Sequence, residues 1–233
     1  MSINVRKSQD RGHAEHGWLD SFHTFSFADY YDPQHMGFRS LRVINEDRVL
    51  AGQGFGSHPH KDMEIFSYVV RGSLKHKDSM GHESTVHAGG IQKISAGSGI
   101  VHSEFNASNK ETVHFLQVWI VPQERGLKPS YLDLALPAAD PQNPLLLIGS
   151  PHAKDKVVQF FQDVYIYRGH LASKQDISFP IKANRGVWIQ MIKGKLGVEN
   201  HILKAGDGVS IEGLKQIKIA GQEDAEFLLF DLV

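Results

Sequence analysis

Two short motifs contain residue types that bind metal ions. His58 and His60 flank Pro59, and a single serine separates His102 from Glu104. Residues two apart in a β-strand point to the same face, so each pair can direct both side chains to one point. Imidazole and carboxylate groups bind Fe(II), Mn(II), Co(II), Ni(II), Cu(II) and Zn(II). The spacing therefore predicts one divalent metal site with three histidine ligands and one glutamate, and with positions left open for substrate or O2.

The overall composition excludes several other kinds of site. The chain has no cysteine, so a disulfide framework, a thiolate metal site and a cysteine nucleophile are all absent. Its 25 Lys and Arg residues balance 26 Asp and Glu residues, which argues against direct contact with nucleic acid. We find neither the apolar segment of a signal peptide nor an apolar run of roughly 18 residues that could span a membrane. We therefore expect a cytoplasmic protein without a membrane contact.

The elements that must position these ligands are short β-strands. Runs rich in β-branched and aromatic residues alternate with Gly, Pro, Asn and Asp, and long helical periodicity is scarce. This pattern is typical of an all-β sandwich or barrel. The clearest predicted strands are Ile65–Val70, Val113–Val121, Val157–Tyr167 and Val187–Ile192.

A weak internal repeat indicates two copies of one unit. The segment Ile65–Leu74 resembles Val187–Leu196, because each has a β-type run followed by a basic residue and a glycine. Several prolines cluster between the copies, around residues 137–151, where proline disfavours a regular strand interior. We predict a boundary there, with domains at residues 1–140 and 141–233. A length of 233 residues is enough for two cores.

The two metal-binding motifs resemble those of the cupin superfamily, and their amino-acid sequences resemble the pirin family in particular. The resemblance rests on three segments, His58–Gly72, Ser95–Asn106 and Arg11–Pro33, and extends over nearly the whole chain. It departs from the general cupin pattern at Gly97, where proline is usual, and in two glycine spacings. It implies a double cupin of two β-barrel or jelly-roll domains, with metal in the N-terminal domain and a degenerate, metal-free C-terminal domain.

The same resemblance implies roles for individual residues. In pirins the acid two residues after the second-motif histidine is a ligand and the first-motif glutamate is not, so Glu104 is expected to bind the metal and Glu64 is not. In a strand that begins at His58, Glu64 would share the face of His58 and His60, and we therefore expect it to support the site by orienting an imidazole. Fe(II) is the ion expected by resemblance. We also expect His114 at a core or surface position rather than at the metal, and the aromatic residues near the N-terminus to cover the barrel.

The activity implied by the resemblance is that of a quercetin 2,3-dioxygenase. Such an enzyme cleaves a flavonol with O2 and releases carbon monoxide, and Glu104 is expected to act as both ligand and base. The expected partners are the flavonol and O2, and the expected state is a monomer. Two alternatives stay open: a non-enzymatic iron-binding module that regulates transcription through protein partners, and a metal-dependent sugar isomerase on the cupin fold.

Overall fold

The computed structural model describes residues 1–152 and 154–233, and this part of the chain is nearly all β-structure. One short 3-10 helix occurs at Ser8–Asp10. The strands, in chain order, are β1 (Ser2–Arg6), β2 (Gly12–Glu15), β3 (Leu19–His23), β4 (Leu41–Val49), β5 (Gly54–His60), β6 (Glu64–Arg71), β7 (Ser73–Asp78), β8 (Glu83–His87), β9 (Gly90–Ser95), β10 (Ile100–Asn106), β11 (Val113–Ile120), β12 (Ser130–Ala135), β13 (Leu145–Ser150), β14 (Val158–Gln159), β15 (Val164–Leu171), β16 (Asp176–Pro180), β17 (Gly186–Lys193), β18 (Lys195–Val198), β19 (His201–Lys204), β20 (Gly208–Glu212), β21 (Gln216–Gly221) and β22 (Ala225–Leu232).

The chain forms two compact units. The first barrel comprises Gly12–Pro137 together with the short segment Phe160–Gln162. The second barrel comprises Met1–Arg11, Ala138–Gln159 and Asp163–Val233. The predicted domains, 1–140 and 141–233, are continuous segments, whereas each compact unit is assembled from more than one stretch of chain.

Each barrel contains a seven-stranded and a four-stranded sheet. In the first barrel the strand orders are β12-β9-β6-β11-β4-β3-β2 and β5-β10-β7-β8. In the second barrel they are β1-β20-β17-β22-β15-β13-β14 and β16-β21-β18-β19. The four central strands β9-β6-β11-β4 of the first barrel correspond to β20-β17-β22-β15 of the second barrel. Each strand of the second set has a number eleven higher than its counterpart, so the two sheets have the same topology. The predicted double-cupin fold is confirmed.

The internal repeat corresponds to equivalent hairpins in the two barrels. Strands β6 and β7 are joined at Gly72, and β17 and β18 are joined at Gly194. Both glycines have a left-handed backbone, with φ of 80° and 75°. A side chain is strained in that conformation, so a glycine at each turn is favoured. The similarity seen in the sequence is therefore a shared turn between equivalent strands.

The interior of the second barrel is apolar where the first barrel carries its histidine motifs. Strands β16 and β21 are the counterparts of β5 and β10, and their inward side chains include Ile177, Phe179, Ile217 and Ile219. These residues pack with the aliphatic side chains of β17, β20 and β22 into one core cluster. The second barrel is thus filled by hydrophobic packing along the strands that supply imidazoles in the first.

Three of the four clearest predicted strands match single observed strands, and the fourth does not. The run Val157–Tyr167 contains β14 and the start of β15, with Phe160–Gln162 between them. These three residues belong to the first barrel, where Phe160 is buried against Phe66. The break arises because the apolar residues in this run serve two different cores.

Within the described residues, no helix has the length and hydrophobicity needed to cross a membrane.

Candidate metal centre and its cavity

Strands β5 and β10 bring the two histidine motifs together. They pair antiparallel, with His102 opposite His58 and Ile100 opposite His60. The three imidazole rings form a nearly equilateral triangle, with centroid separations of 4.7 Å for His58 and His60, 4.5 Å for His58 and His102, and 4.9 Å for His60 and His102. One nitrogen of each ring lies within 4.8 Å of the others. Two sequence-distant motifs therefore form one three-histidine cluster.

Hydrogen bonding fixes the tautomer of His58 in the form that can bind a metal. Its Nδ1 lies 2.7 Å from the carbonyl oxygen of Gly56, which can only accept, so Nδ1 carries the proton. Its Nε2 then presents a lone pair, 3.1 Å from Nε2 of His102. Two ligands of one ion at metal–nitrogen distances of about 2.1 Å are themselves about 3 Å apart. The separation of these nitrogens therefore fits a shared divalent ion.

Burial keeps two of the imidazoles neutral. It lowers the pKa of His60 to about 4, with the nearby charge of His58 adding to the effect. It lowers the pKa of His102 to about 3, again with a contribution from His58. A neutral imidazole is the form that binds metal ions, so these rings can bind an ion near neutral pH without first losing a proton.

Glu104 is buried beside the three-histidine cluster and is held by two glutamine amides. Gln117 Nε2 donates to Glu104 Oε2 at 2.7 Å, and Gln92 Nε2 donates to Oε1. A weaker contact of 3.4 Å joins Oε1 to the hydroxyl of Ser67. Burial raises the pKa of Glu104 to about 7, and the charge of Asp47 adds to the rise while the amide hydrogen bonds oppose it. The carboxylate lies outside the group of mutually close ligand atoms.

A cavity of about 890 Å³ in the first barrel opens onto this cluster. Its lining includes His58, His60 and Glu104. Aromatic side chains from the N-terminal segment and β11 form much of the remaining surface, and they include Trp18, Phe27, Tyr30 and Trp119. The N-terminal aromatic residues thus form part of the cavity itself. A pocket with mostly apolar walls and a few polar groups is typical of a small-molecule site.

The structure places Glu64 away from the predicted supporting position. Its carboxylate accepts from Lys93 Nζ at 2.6 Å and from the backbone N–H of Phe161 at 3.1 Å. We expected Glu64 to share a face with His58 and His60, but that expectation is wrong because β5 ends at His60 and Glu64 begins a new strand. The turn between them includes Asp62 at a φ of 51°, which interrupts the alternation of side chains.

The structure also explains the position of His114. Its Nε2 lies 3.0 Å from Glu46 Oε1, on the face of β11 opposite to Gln117 and Trp119. The expectation of a core or surface position agrees with this contact. The cavity is instead reached by Gln117, which sequence reasoning missed, as it missed Gln92. Both faces of β11 are largely buried, so alternating polarity in the sequence does not identify the face that contacts the cavity.

Comparisons with known proteins give family matches to both halves of the chain. Residues 4–120 match the family model described as Pirin, and residues 147–232 match the model described as Quercetinase C-terminal cupin domain. These two matches correspond to the two cupin barrels predicted from the sequence.

Individual relatives are similar over nearly their full length. A protein of Escherichia coli named quercetin 2,3-dioxygenase is 48% identical over 230 residues, covering 99% of this chain and 98% of that protein. A pirin-like protein of Caulobacter vibrioides is 36% identical over 228 residues, covering 97% and 98%. The crystal structure of the Escherichia coli pirin YhhW in complex with nickel(II) has a TM-score of 0.95 and 47% identity, covering 99% of both chains.

Proposed function

This chain belongs to the pirin family, and we propose that it is a metal-dependent dioxygenase that opens the heterocyclic ring of quercetin-like flavonols. The observation that carries the proposal is the three-histidine cluster, which opens beside a buried carboxylate onto an aromatic-walled cavity. The name of the Escherichia coli relative, quercetin 2,3-dioxygenase, supports this choice of reaction.

The three histidines and Glu104 would share the chemistry. His58, His60 and His102 would hold the ion through neutral ring nitrogens, and we retain Glu104 in both predicted roles, as fourth ligand and as base. A bound divalent ion supplies Lewis acidity, which favours the deprotonated form of the flavonol 3-hydroxyl. Glu104 accepts the hydroxyl proton, and the amides of Gln92 and Gln117 keep its two oxygens in place.

The overall reaction balances without an external reductant. Both atoms of O2 enter the ring-opened ester product, and the carbon that carried the 3-hydroxyl leaves as carbon monoxide. The flavonol itself supplies the electrons that reduce O2. The aromatic side chains Trp18, Phe27 and Trp119 give the cavity surfaces on which a planar ring system can stack.

The identity of the ion is a separate part of the proposal. Fe(II) is the first ion to test, and Ni(II) is the second because it occupies the YhhW structure. Imidazole and carboxylate ligands also accept Zn(II), Mn(II), Co(II) and Cu(II), so geometry and availability select among them. Reconstitution of metal-free protein with each ion in turn, followed by turnover measurements, ranks them directly.

The proposed partners are small molecules and not macromolecules. Flavonol and O2 are sufficient for the reaction, and a formal net charge of −1 provides no general attraction to nucleic acid. We propose a monomer that works in the cytoplasm, where the lack of cysteine suits a reducing environment. Light scattering during size-exclusion chromatography tests the monomer.

The decisive experiment combines metal analysis with product detection. Wild-type protein, His60→Ala and Glu104→Ala are reconstituted with Fe(II), and quercetin loss and carbon monoxide release are followed after O2 is admitted. His170→Ala serves as a matched control, because His170 lies on β15 in the second barrel. We expect one equivalent of metal and turnover in wild type and control, a loss of metal in His60→Ala, and a loss of turnover in both cavity variants.

Two other results would change the assignment. Bound metal without any flavonol turnover would favour the non-enzymatic alternative, in which the metal state controls binding of a protein partner. A wild-type protein that retains no divalent metal after reconstitution would refute the metal centre and the enzyme together.

A further inference from the structure

A row of buried polar side chains crosses the seven-stranded sheet of the first barrel. Strand pairing places Gln92 opposite Ser67, Ser67 opposite Gln117, Gln117 opposite Asn45, and Asn45 opposite His23. The row therefore runs directly across β9, β6, β11, β4 and β3. Each of these side chains is at most 9% exposed. Burial of so many polar groups is unfavourable unless each one finds a hydrogen-bond partner.

One end of this row already has a role at the metal centre. Gln92, Ser67 and Gln117 all contact the carboxylate of Glu104. The other end, at Asn45 and His23, lies on β4 and β3 and faces the same cavity. Neighbouring strands are about 4.8 Å apart, so Asn45 lies about one strand spacing beyond Gln117 and His23 about two. The proposed chemistry near Glu104 does not use this distal end.

Asn45 carries an acceptor that has no hydrogen-bond partner in the described part of the chain. Its side chain is 2% exposed, and no donor within the described residues reaches its Oδ1. A buried amide oxygen without a partner is unfavourable by itself, and in a cavity wall it is open to a donor group of a bound molecule. The position is therefore suited to an O–H or N–H group of a bound molecule.

A second acceptor lies next to Asn45 on the same face of β4. Asp47 is two residues further along the strand, lines the same cavity and is 2% exposed. The hydroxyl of Ser21 donates to its Oδ1 at 2.5 Å. The carboxyl is thus oriented from β3, across the strand pair that places Ser21 opposite Asp47. Asn45 and Asp47 together present acceptor oxygens at one end of the cavity.

We propose that Asn45 and Asp47 form a distal subsite that binds phenolic hydroxyl groups of the substrate and so determines specificity. The inference rests on the proposed function, because it assumes that the reacting hydroxyl lies at Glu104. A planar flavonol that reaches from Glu104 past Gln117 brings its pendant ring to β4 and β3. The subsite then selects flavonols with hydroxyl groups on that ring over those without them.

Three flavonols that share the 3-hydroxyl test the subsite. Quercetin has two hydroxyl groups on the pendant ring, kaempferol has one and galangin has none. Binding to the full-length, Ni(II)-reconstituted protein is measured by calorimetry without O2, so that affinity is determined independently of turnover. We expect wild type to bind quercetin about tenfold more tightly than galangin, since one or two additional hydrogen bonds in a buried site increase affinity by roughly that factor.

Substitutions then locate the preference. Asn45→Leu should weaken quercetin binding by a larger factor than galangin binding, and so lose most of the preference for quercetin. Asn45→Asp keeps an acceptor of the same size and should retain the preference. Asp47→Asn should weaken quercetin more than galangin. Glu46→Gln is the matched control for Asp47→Asn, because it also replaces a carboxyl group by an amide. Glu46 lies on the other face of β4, where it contacts His114 and Arg48.

Each remaining outcome overturns a defined part of the inference. If Asn45→Leu and Asn45→Asp each lowered the affinities for quercetin and galangin by the same factor, Asn45 would have a structural role and the subsite would be refuted. A wild type without preference among the three flavonols would refute it as well. Selective anaerobic binding without aerobic carbon monoxide release would refute the proposed function and leave the subsite standing, whereas no flavonol binding would refute both.

Discussion

Removal of the buried Glu64 carboxylate should destabilise the first barrel strongly. The Glu64 and Lys93 side chains are 1% and 4% exposed, and their charged atoms are 2.6 Å apart. Lys93 Nζ also lies over the rings of Phe160 and Phe161, at 5.5 Å and 5.2 Å from their centroids. Glu64→Gln leaves the ammonium buried without its counter-charge, which typically costs about 3–5 kcal/mol. For a chain of this size that corresponds to a melting temperature lowered by roughly 6–20 °C.

The assay is a double-mutant cycle followed by thermal and urea unfolding. Lys93→Met leaves Glu64 buried and unpaired and should destabilise by a similar amount, whereas the Glu64→Gln/Lys93→Met double variant removes both charges. We expect the double variant to be much more stable than the sum of the single effects. Glu83→Gln is the control, because Glu83 pairs with Lys75 at 2.7 Å on the surface with side chains nearly half exposed. It should leave the melting temperature nearly unchanged.

The pH dependence gives an independent check on the same pair. Burial lowers the pKa of Lys93, and the charge of Glu64 opposes that shift. Without Glu64 the native pKa falls further below the unfolded value. Between these two pKa values the unfolded chain binds more protons, so the stability of Glu64→Gln should rise with pH more steeply than that of wild type. Additive single effects, or unaltered pH dependence, would refute the view that the buried charges of Glu64 and Lys93 stabilise each other.

Three other predictions concern different parts of the first barrel. Burial raises the pKa of Asp47 from 3.8 to about 7, so the stability of wild type should fall by up to about 4 kcal/mol as pH rises through that interval. Urea unfolding at several pH values should show that Asp47→Asn removes this decrease, and identical profiles for the two proteins would contradict the prediction. Gly97→Ala should lower the melting temperature far more than Gly52→Ala, although both glycines have positive φ. A Cβ at Gly97 would lie 1.9 Å from the carbonyl oxygen of Leu127, whereas a Cβ at Gly52 meets nothing within 4 Å. Equal losses of melting temperature would exclude the contact with Leu127 as the cause. Ni(II) at about 100 times its dissociation constant should stabilise the metal-free protein by about 2.7 kcal/mol, and calorimetry should detect no such gain in His102→Ala but a full gain in His114→Ala.

Much of the fold could be predicted because it depends on local patterns. Runs of β-branched and aromatic residues gave strands at Ile65–Val70, Val113–Val121 and Val187–Ile192, and all three are present. The repeat around Gly72 and Gly194 predicted two copies of one unit, since a left-handed turn favours glycine wherever the topology recurs. The run Val157–Tyr167 was predicted as one strand and is two, because hydrophobicity does not specify which core a residue enters.

The candidate site shows the same division between local and long-range information. Local spacing is enough to direct His58 and His60 to one point and to pair His102 with an acid, because alternation along one strand is a property of neighbouring residues. The complete fold is needed to bring the two motifs together, to direct Gln117 to Glu104 and to continue the polar row to Asn45. These contacts depend on the register between strands that are distant in the chain and on which face each strand buries, and packing of the whole barrel sets both.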